Sequence, residues 1–185
     1  MVLSPDALLA SFSDLITSER PMGPVLDLAC GDGHNGLFLA AKGLPVILAD
    51  RSHVGLGKAK ETADGMQAQV TLWRIDLEKA EENPLKEEEY SVILVFRYLH
   101  RPLMPCIRKA LKPGGFLLYH TYTTDQAQFG KPRNPDFLLK PGELMNGFKD
   151  WHVLHYFEGL QENPRRAVAE IVCRKPGDRI LELRD

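Results

Sequence analysis

The sequence predicts an α/β fold: an open, largely parallel sheet with helices packed against it. Three observations predict it. Short apolar runs with the character of buried strands alternate with segments of helical period. The first run passes into a glycine-rich turn, GDGHNG, and then into a helix. Acidic residues, Asp27, Asp50 and Asp76, close successive strands. Such alternation gives parallel strands joined by right-handed crossovers. Ligands in these sheets bind beyond the carboxyl ends of the strands.

The elements follow in order. Residues 4–18 carry Leu8, Leu9, Phe12, Leu15 and Ile16 at helical spacing, with Ser4 as the expected N-cap and Pro5 in the first turn. Two prolines and a glycine in 20–24 end that helix. VLDLAC at 25–30 is the first strand, and LFLAAK at 37–42 a helix stopped by Gly43. LPVILAD is the second strand, followed by a helix at 52–66 weakened by Gly55 and Gly57. QVTLWRIDL is the third strand. The connection at 78–89 holds six glutamates that nothing orders toward one point, so it reads as a solvated link. The fourth strand is expected at 91–96, a helix running to a glycine turn at 102–115, and the fifth strand at 116–122. Residues 130–148 contain three prolines and three glycines without a clear period. They read as a long ordered loop with one helical turn. Two late strands, 151–159 and 166–174, form an antiparallel pair.

The chain has 185 residues, 44% of them hydrophobic, enough for one domain with one core spanning 1–185. A formal charge of −2 gives no electrostatic case for nucleic acid or anionic membrane as a partner. The three cysteines fit neither a disulfide framework nor a zinc spacing, and no metal site is expected. With no leader-like N-terminus and no apolar run near the roughly 20 residues that span a bilayer, the expected setting is cytoplasmic.

Gly31, Gly33 and Gly36 spell GxGxxG, which alone also suits a dinucleotide. Further features separate the readings. Asp27 is placed where a carboxylate faces a ligand ammonium, or caps its strand end. Asp50 is placed to accept from ribose hydroxyls, or to cap the next helix. Asp76 is placed to accept from an adenine amino group, or opens a turn. Lys112-Pro113-Gly114-Gly115 precedes the fifth strand.

Taken together, VLDLACGDGHNGLFLA, the acid in VILAD, RIDL and LKPGGFLLY resemble the class I S-adenosylmethionine-dependent methyltransferases, across about residues 20–175. The finer resemblance is to small tellurite-resistance-type enzymes. It implies a Rossmann-like, seven-stranded sheet of order 3-2-1-4-5-7-6 with the seventh strand antiparallel. It also implies S-adenosylmethionine as cofactor and a small-molecule methyl acceptor. Asp27, Gly31 and Gly33 would contact the methionine part, Asp50 the ribose with Arg51 nearby, Asp76 and Leu77 the adenine. Phe96 would line the site. Gly36 reads as close helix packing, and Cys30 as a slot for a small residue.

On the acceptor side, His100 and His120 are candidate bases, since histidine titrates near neutrality. Both also read as ordinary hydrogen-bonded residues. Arg97, Arg101 and Arg133 could bind an anionic acceptor or remain solvated. His152 and His155 look structural, while His34 and His53 flank the cofactor side. The tetrapeptide at 134–137, Asn-Pro-Asp-Phe, resembles the Asn-Pro-Pro-Tyr motif of amino-group methyltransferases, but it lies beyond the fifth strand whereas that motif follows the fourth, so the resemblance disfavours an amide or adenine nitrogen as acceptor. Residues 130–148 are expected to form a lid over the acceptor. Two alternatives remain open: a nicotinamide-dependent oxidoreductase, and a non-catalytic module that binds S-adenosylmethionine.

Overall fold

A computed structural model describes residues 3–19, 22–79 and 83–177. Seven strands form one sheet: β1 (Val25–Leu28), β2 (Val46–Asp50), β3 (Val70–Arg74), β4 (Tyr90–Phe96), β5 (Leu111–Tyr122), β6 (His152–Glu162) and β7 (Arg165–Arg174). Their order is β3-β2-β1-β4-β5-β7-β6, as expected. Strands β1 to β5 pair in parallel, and β7 runs antiparallel to both β5 and β6. Both faces of the central strands are covered, so β1 and β4 are buried along their whole length.

Helices α1 (Ala7–Ser18), α2 (His34–Ala41) and α3 (His53–Gly65) cover one face, where Leu9, Ile16, Leu39 and Ala59 meet Leu48, Leu94 and Leu118. Helices α4 (Leu103–Ala110) and α5 (Glu143–Phe148) cover the other, where Ile107, Leu144 and Phe148 meet Ile93, Leu117 and Ile171. Each of the Leu, Ile and Phe side chains contributes about 1.5–3 kcal/mol by leaving water. Among the described residues no helix is long and apolar enough to cross a membrane.

Four elements differ from the sequence reading, each for a local reason. The first helix is capped by Asp6, not Ser4: its carboxylate accepts from the Leu8 amide at 3.1 Å, so Pro5 stays outside the helix. Helix α4 stops at Ala110 because Leu111 is already extended and pairs with Tyr90, so β5 starts before the Pro-Gly-Gly turn. Strand β3 stops at Arg74, which leaves Asp76 in the following loop. The segment 130–148 contains the 3-10 turn Pro135–Phe137 and helix α5. The expected stop residues Arg20 and Pro21, and Glu81 and Glu82 of the acidic link, lie outside the described residues.

Candidate functional site

The site grows from the end of β1. The chain turns through Ala29 at φ 53°, Gly31 at 61° and Gly33 at 76°, and α2 begins at His34. Gly31 is set apart by its backbone and by the space beside it. Its φ lies in the left-handed region, and a Cβ placed on it would meet nothing within 4 Å, so the space above the turn is open. Gly55, in the first turn of α3, makes the opposite use of its bareness. A Cβ there would lie 2.5 Å from the Gly31 carbonyl oxygen, so α3 can press directly against the turn. Gly36 packs against Leu48 and the Asp27 carboxylate, as expected. Gly33 packs against Leu48 and Ala59 and does not line the cavity described below.

Asp27 is 2% exposed. Its Oδ2 accepts from the Gly36 amide at 2.8 Å. Gly33 caps α2 without a side chain, so the carboxylate satisfies an N-terminal amide of that helix from the neighbouring strand. Oδ1 has no hydrogen bond among the described residues. Burial pushes the Asp27 carboxyl up to about 7; the Gly36 amide opposes this, and the charges of Asp50 and Asp32 add to it. Beside it, burial and then Asp27 push the Cys30 thiol well up, so Cys30 is no thiolate nucleophile.

Asp50 closes β2. Its Oδ2 accepts from the Gly31 amide at 2.8 Å and its Oδ1 from the Ser52 amide at 2.7 Å. The cap of α3 is Ser52, whose hydroxyl accepts from the Gly55 amide, so the helix-capping alternative for Asp50 does not apply. Asp76 Oδ1 accepts from the Glu78 amide at 3.2 Å, the turn-opening geometry weighed against its ligand role. Arg51 lies 3.9 Å from Glu78, with its side chain 69% exposed.

Three cavities follow one another along this edge. The first, about 230 Å³, is lined by Asp27, Gly31, Asn35 and Phe96. The second, about 210 Å³, is lined by Asp50, Arg51, Asp76 and Leu77. The third, about 600 Å³, is lined by Tyr98, Tyr122, Lys131, Arg133 and Phe137. Arg97 lines all three. It directly follows β4, holds φ 56°, and donates its amide to the His120 carbonyl at 2.7 Å. A larger cavity, about 840 Å³, opens at the amino-terminal ends of β2 and β3. It lies at the wrong end of a parallel sheet for a ligand and lacks the acidic row.

The structure therefore gathers Asp27, Gly31, Asp50, Arg51, Asp76, Leu77 and Phe96 around two adjoining cavities. It places Arg133 in the third. The two histidines considered as bases are not brought there. His120 lies two residues inside the end of β5, 1% exposed, with Nδ1 3.2 Å from Asp6 Oδ2 and its ring edge-on to Phe96. The cap of α1 covers it. The His100 carbonyl accepts from the Leu103 amide at the start of α4, and the residue lines none of the three cavities. Arg101 is also committed elsewhere. It holds Glu143 through two contacts of 2.7 and 2.9 Å, and the carbonyls of Asp136 and Leu138 at 2.9 and 2.8 Å.

Tyr122, at the end of β5, and Phe137, in the segment expected over the acceptor, border the third cavity; sequence reasoning missed Glu78 as a cavity wall and Asn35 as a link. The Asn35 side chain accepts from the Asp6 amide at 2.8 Å, tying the start of α1 to the glycine turn. Neither Glu78 nor Asn35 carries a local pattern for its role; each is brought in by the topology.

Comparison with known proteins extends the geometry. A family model described as tellurite resistance protein TehB matches residues 8–169. A curated relative from Haemophilus influenzae, named a probable S-adenosyl-L-methionine-dependent methyltransferase TehB, is 29% identical over 163 residues. That covers 83% of this chain and 55% of the relative. The chain thus spans about half the length of the curated TehB relatives it matches. The crystal structure of TehB from Haemophilus influenzae superposes with a TM-score of 0.73 at 23% identity, covering 90% of this chain and 62% of that one. An S-adenosylmethionine-dependent methyltransferase from Mesorhizobium loti gives 0.63 at 17% identity, covering 92% and 99%. At these identities the structural likeness establishes the fold.

Proposed function

The chain belongs to the TehB tellurite-resistance family, and from that premise we propose that it transfers a methyl group from S-adenosylmethionine to a small-molecule acceptor. The observation that carries this reading is the run of three cavities along one sheet edge, joined at Arg97, with an acidic residue under each part of the cofactor's length.

The residues present fit the cofactor. The open space over Gly31 is a cradle that any side chain would fill. Asp27 presents an unpartnered oxygen for an ammonium. Asp50, already fixed by two amides, keeps free lone pairs for vicinal hydroxyls. Asp76 and Leu77 border the far end. When bound, S-adenosylmethionine supplies a methyl group activated by its sulfonium. The chain then has to hold an acceptor in line with that methyl and keep water out. Lys131 and Arg133 stabilise an acceptor in its ionised form, which removes the need for a side-chain base. We place no catalytic proton on His100 or His120. A cytoplasmic setting belongs to the same proposal and is supported by three unpaired cysteines.

Thermal denaturation with S-adenosylhomocysteine and with NADH separates this reading from a nicotinamide-dependent oxidoreductase. S-adenosylhomocysteine is expected to raise the melting temperature and NADH to leave it unchanged. In Asp50→Ala the protein should melt lower without ligand, because the Gly31 and Ser52 amides lose their acceptors. Its S-adenosylhomocysteine affinity should fall at least tenfold, since each charge-assisted hydrogen bond is worth about 1.5–3 kcal/mol. Unchanged affinity by calorimetry would remove Asp50 from the cofactor site.

A further inference from the structure

The third cavity has a composition that narrows its occupant. Its volume, about 600 Å³, lies within the range of about 300–1,000 Å³ typical of sites for drug-sized molecules. One water takes about 30 Å³ of liquid, so a bare inorganic oxyanion would leave most of this space unfilled. Three rings, Tyr98, Tyr122 and Phe137, form its walls. Phe137 is 44% exposed although its neighbours Leu138 and Leu139 are buried, so the ring stands uncovered on the cavity side of its turn. Burial pushes the Tyr98 hydroxyl up to about 12, with the charges of Glu78 and Asp76 adding to it, so it stays a neutral wall and hydrogen-bond donor.

The cations are the second half of the pattern. Two other arginines, Arg101 and Arg108, are each held by a carboxylate and by backbone carbonyl oxygen. Lys131 and Arg133 differ: among the described residues neither side chain makes a hydrogen bond or ion pair. Both border the ring-lined cavity, and Arg97 joins them where it meets the cofactor side. Among the described residues the only carboxylate on its wall, Glu78, lies within 3.9 Å of Arg51 at the cofactor side.

Resting on the proposed methyltransfer, we infer that this cavity takes a flat aromatic acceptor carrying an anionic group. The rings pack its body and the Lys131–Arg133 pair holds the charge. Stacking on Tyr or Phe and a guanidinium facing a carboxylate or sulfonate are separate contributions, each worth only part of the affinity. The combination selects against neutral aromatics and against small anions alike.

Calorimetry on the protein saturated with S-adenosylhomocysteine tests this with three probes: 2-naphthoate, the neutral 2-naphthamide and inorganic sulfate. 2-Naphthoate is expected to bind at least tenfold more tightly than either of the others. In the double variant Lys131→Ala with Arg133→Ala the preference over 2-naphthamide should shrink to within threefold, with S-adenosylhomocysteine affinity unchanged. Equal binding of 2-naphthoate and 2-naphthamide, sulfate binding as tightly as 2-naphthoate, or an unaltered preference in the double variant each overturns the inference. Those results leave the methyltransferase reading standing; failure of S-adenosylhomocysteine itself to bind overturns that reading instead.

Discussion

Asp27→Asn is expected to make the protein more stable at pH 8 and nearly unable to hold its cofactor. The two effects have one cause. Burial holds the Asp27 carboxyl at about 7 in the folded chain, against 3.8 for an ordinary aspartate. A raised acid favours folding in full below the unfolded value, and that contribution is lost as pH rises through the folded value. Above pH 7 the fold therefore carries a buried charge whose cost is on the order of 4 kcal/mol. Asparagine keeps an oxygen for the Gly36 amide and removes the charge, so the variant should melt several degrees higher at pH 8 and gain little at pH 4. A ligand ammonium needs that charge. S-adenosylmethionine affinity of the unaltered protein should tighten about tenfold per pH unit up to pH 7 and level off above. Asp27→Asn should lose at least a hundredfold at pH 8 and show no such slope. Calorimetry between pH 5.5 and 8.5 checks this, and a flat profile in the unaltered protein would detach Asp27 from the ammonium.

Arg101→Ala is expected to act on the acceptor side alone. Arg101 stands just before α4 and grips residues 136 to 143 by four contacts. Its loss leaves Glu143 without its cation and two carbonyls without a donor, at about 1–3 kcal/mol of stability. The turn that carries Lys131, Arg133 and Phe137 would lose its anchor, while Arg101 lines neither of the first two cavities. Acceptor turnover should fall at least tenfold, with S-adenosylhomocysteine affinity within twofold of the starting value. Arg101→Lys should recover only part of the turnover, because an ammonium cannot span both oxygens of Glu143 and two carbonyls. Equal losses of turnover and of S-adenosylhomocysteine affinity would show that the segment serves the whole site.

The cofactor half of this site was legible in the sequence because its requirements are local. A glycine that must turn left-handed, with an acid before it and another at the next strand end, leaves a mark within a few residues. The strand order was carried by resemblance and the structure has it. The acceptor half left no comparable mark. Its walls come from residue 78, residues 97–99, Tyr122 and residues 131–137, four stretches joined only by folding. Arg101 looked like a ligand for an anion because a single arginine after a strand has no visible partner until Glu143 is brought to it. His120 looked available for the same reason: only the folded chain sets Asp6 against it. The segment 130–148 read as one loop. In fact Leu138, Leu139, Leu144 and Phe148 are core residues, and only the stretch before them borders the cavity.

The contact between Gly55 and Gly31 has a consequence for anyone engineering this chain. By helix propensity, Gly55 and Gly57 look like equivalent flaws in α3, each worth about 1 kcal/mol if replaced by alanine. They are not interchangeable. A Cβ on Gly57 meets nothing within 4 Å, so Gly57→Ala should raise the melting temperature and leave ligand affinity alone. A Cβ on Gly55 runs into the Gly31 carbonyl, and backbone cannot step aside as a side chain can. Gly55→Ala should gain helix propensity and lose S-adenosylhomocysteine affinity by displacing the turn, which melting curves with and without ligand would separate. A consensus or propensity score applied residue by residue would rank the two alike, so the durable variant is found only by treating positions 31 and 55 as one unit.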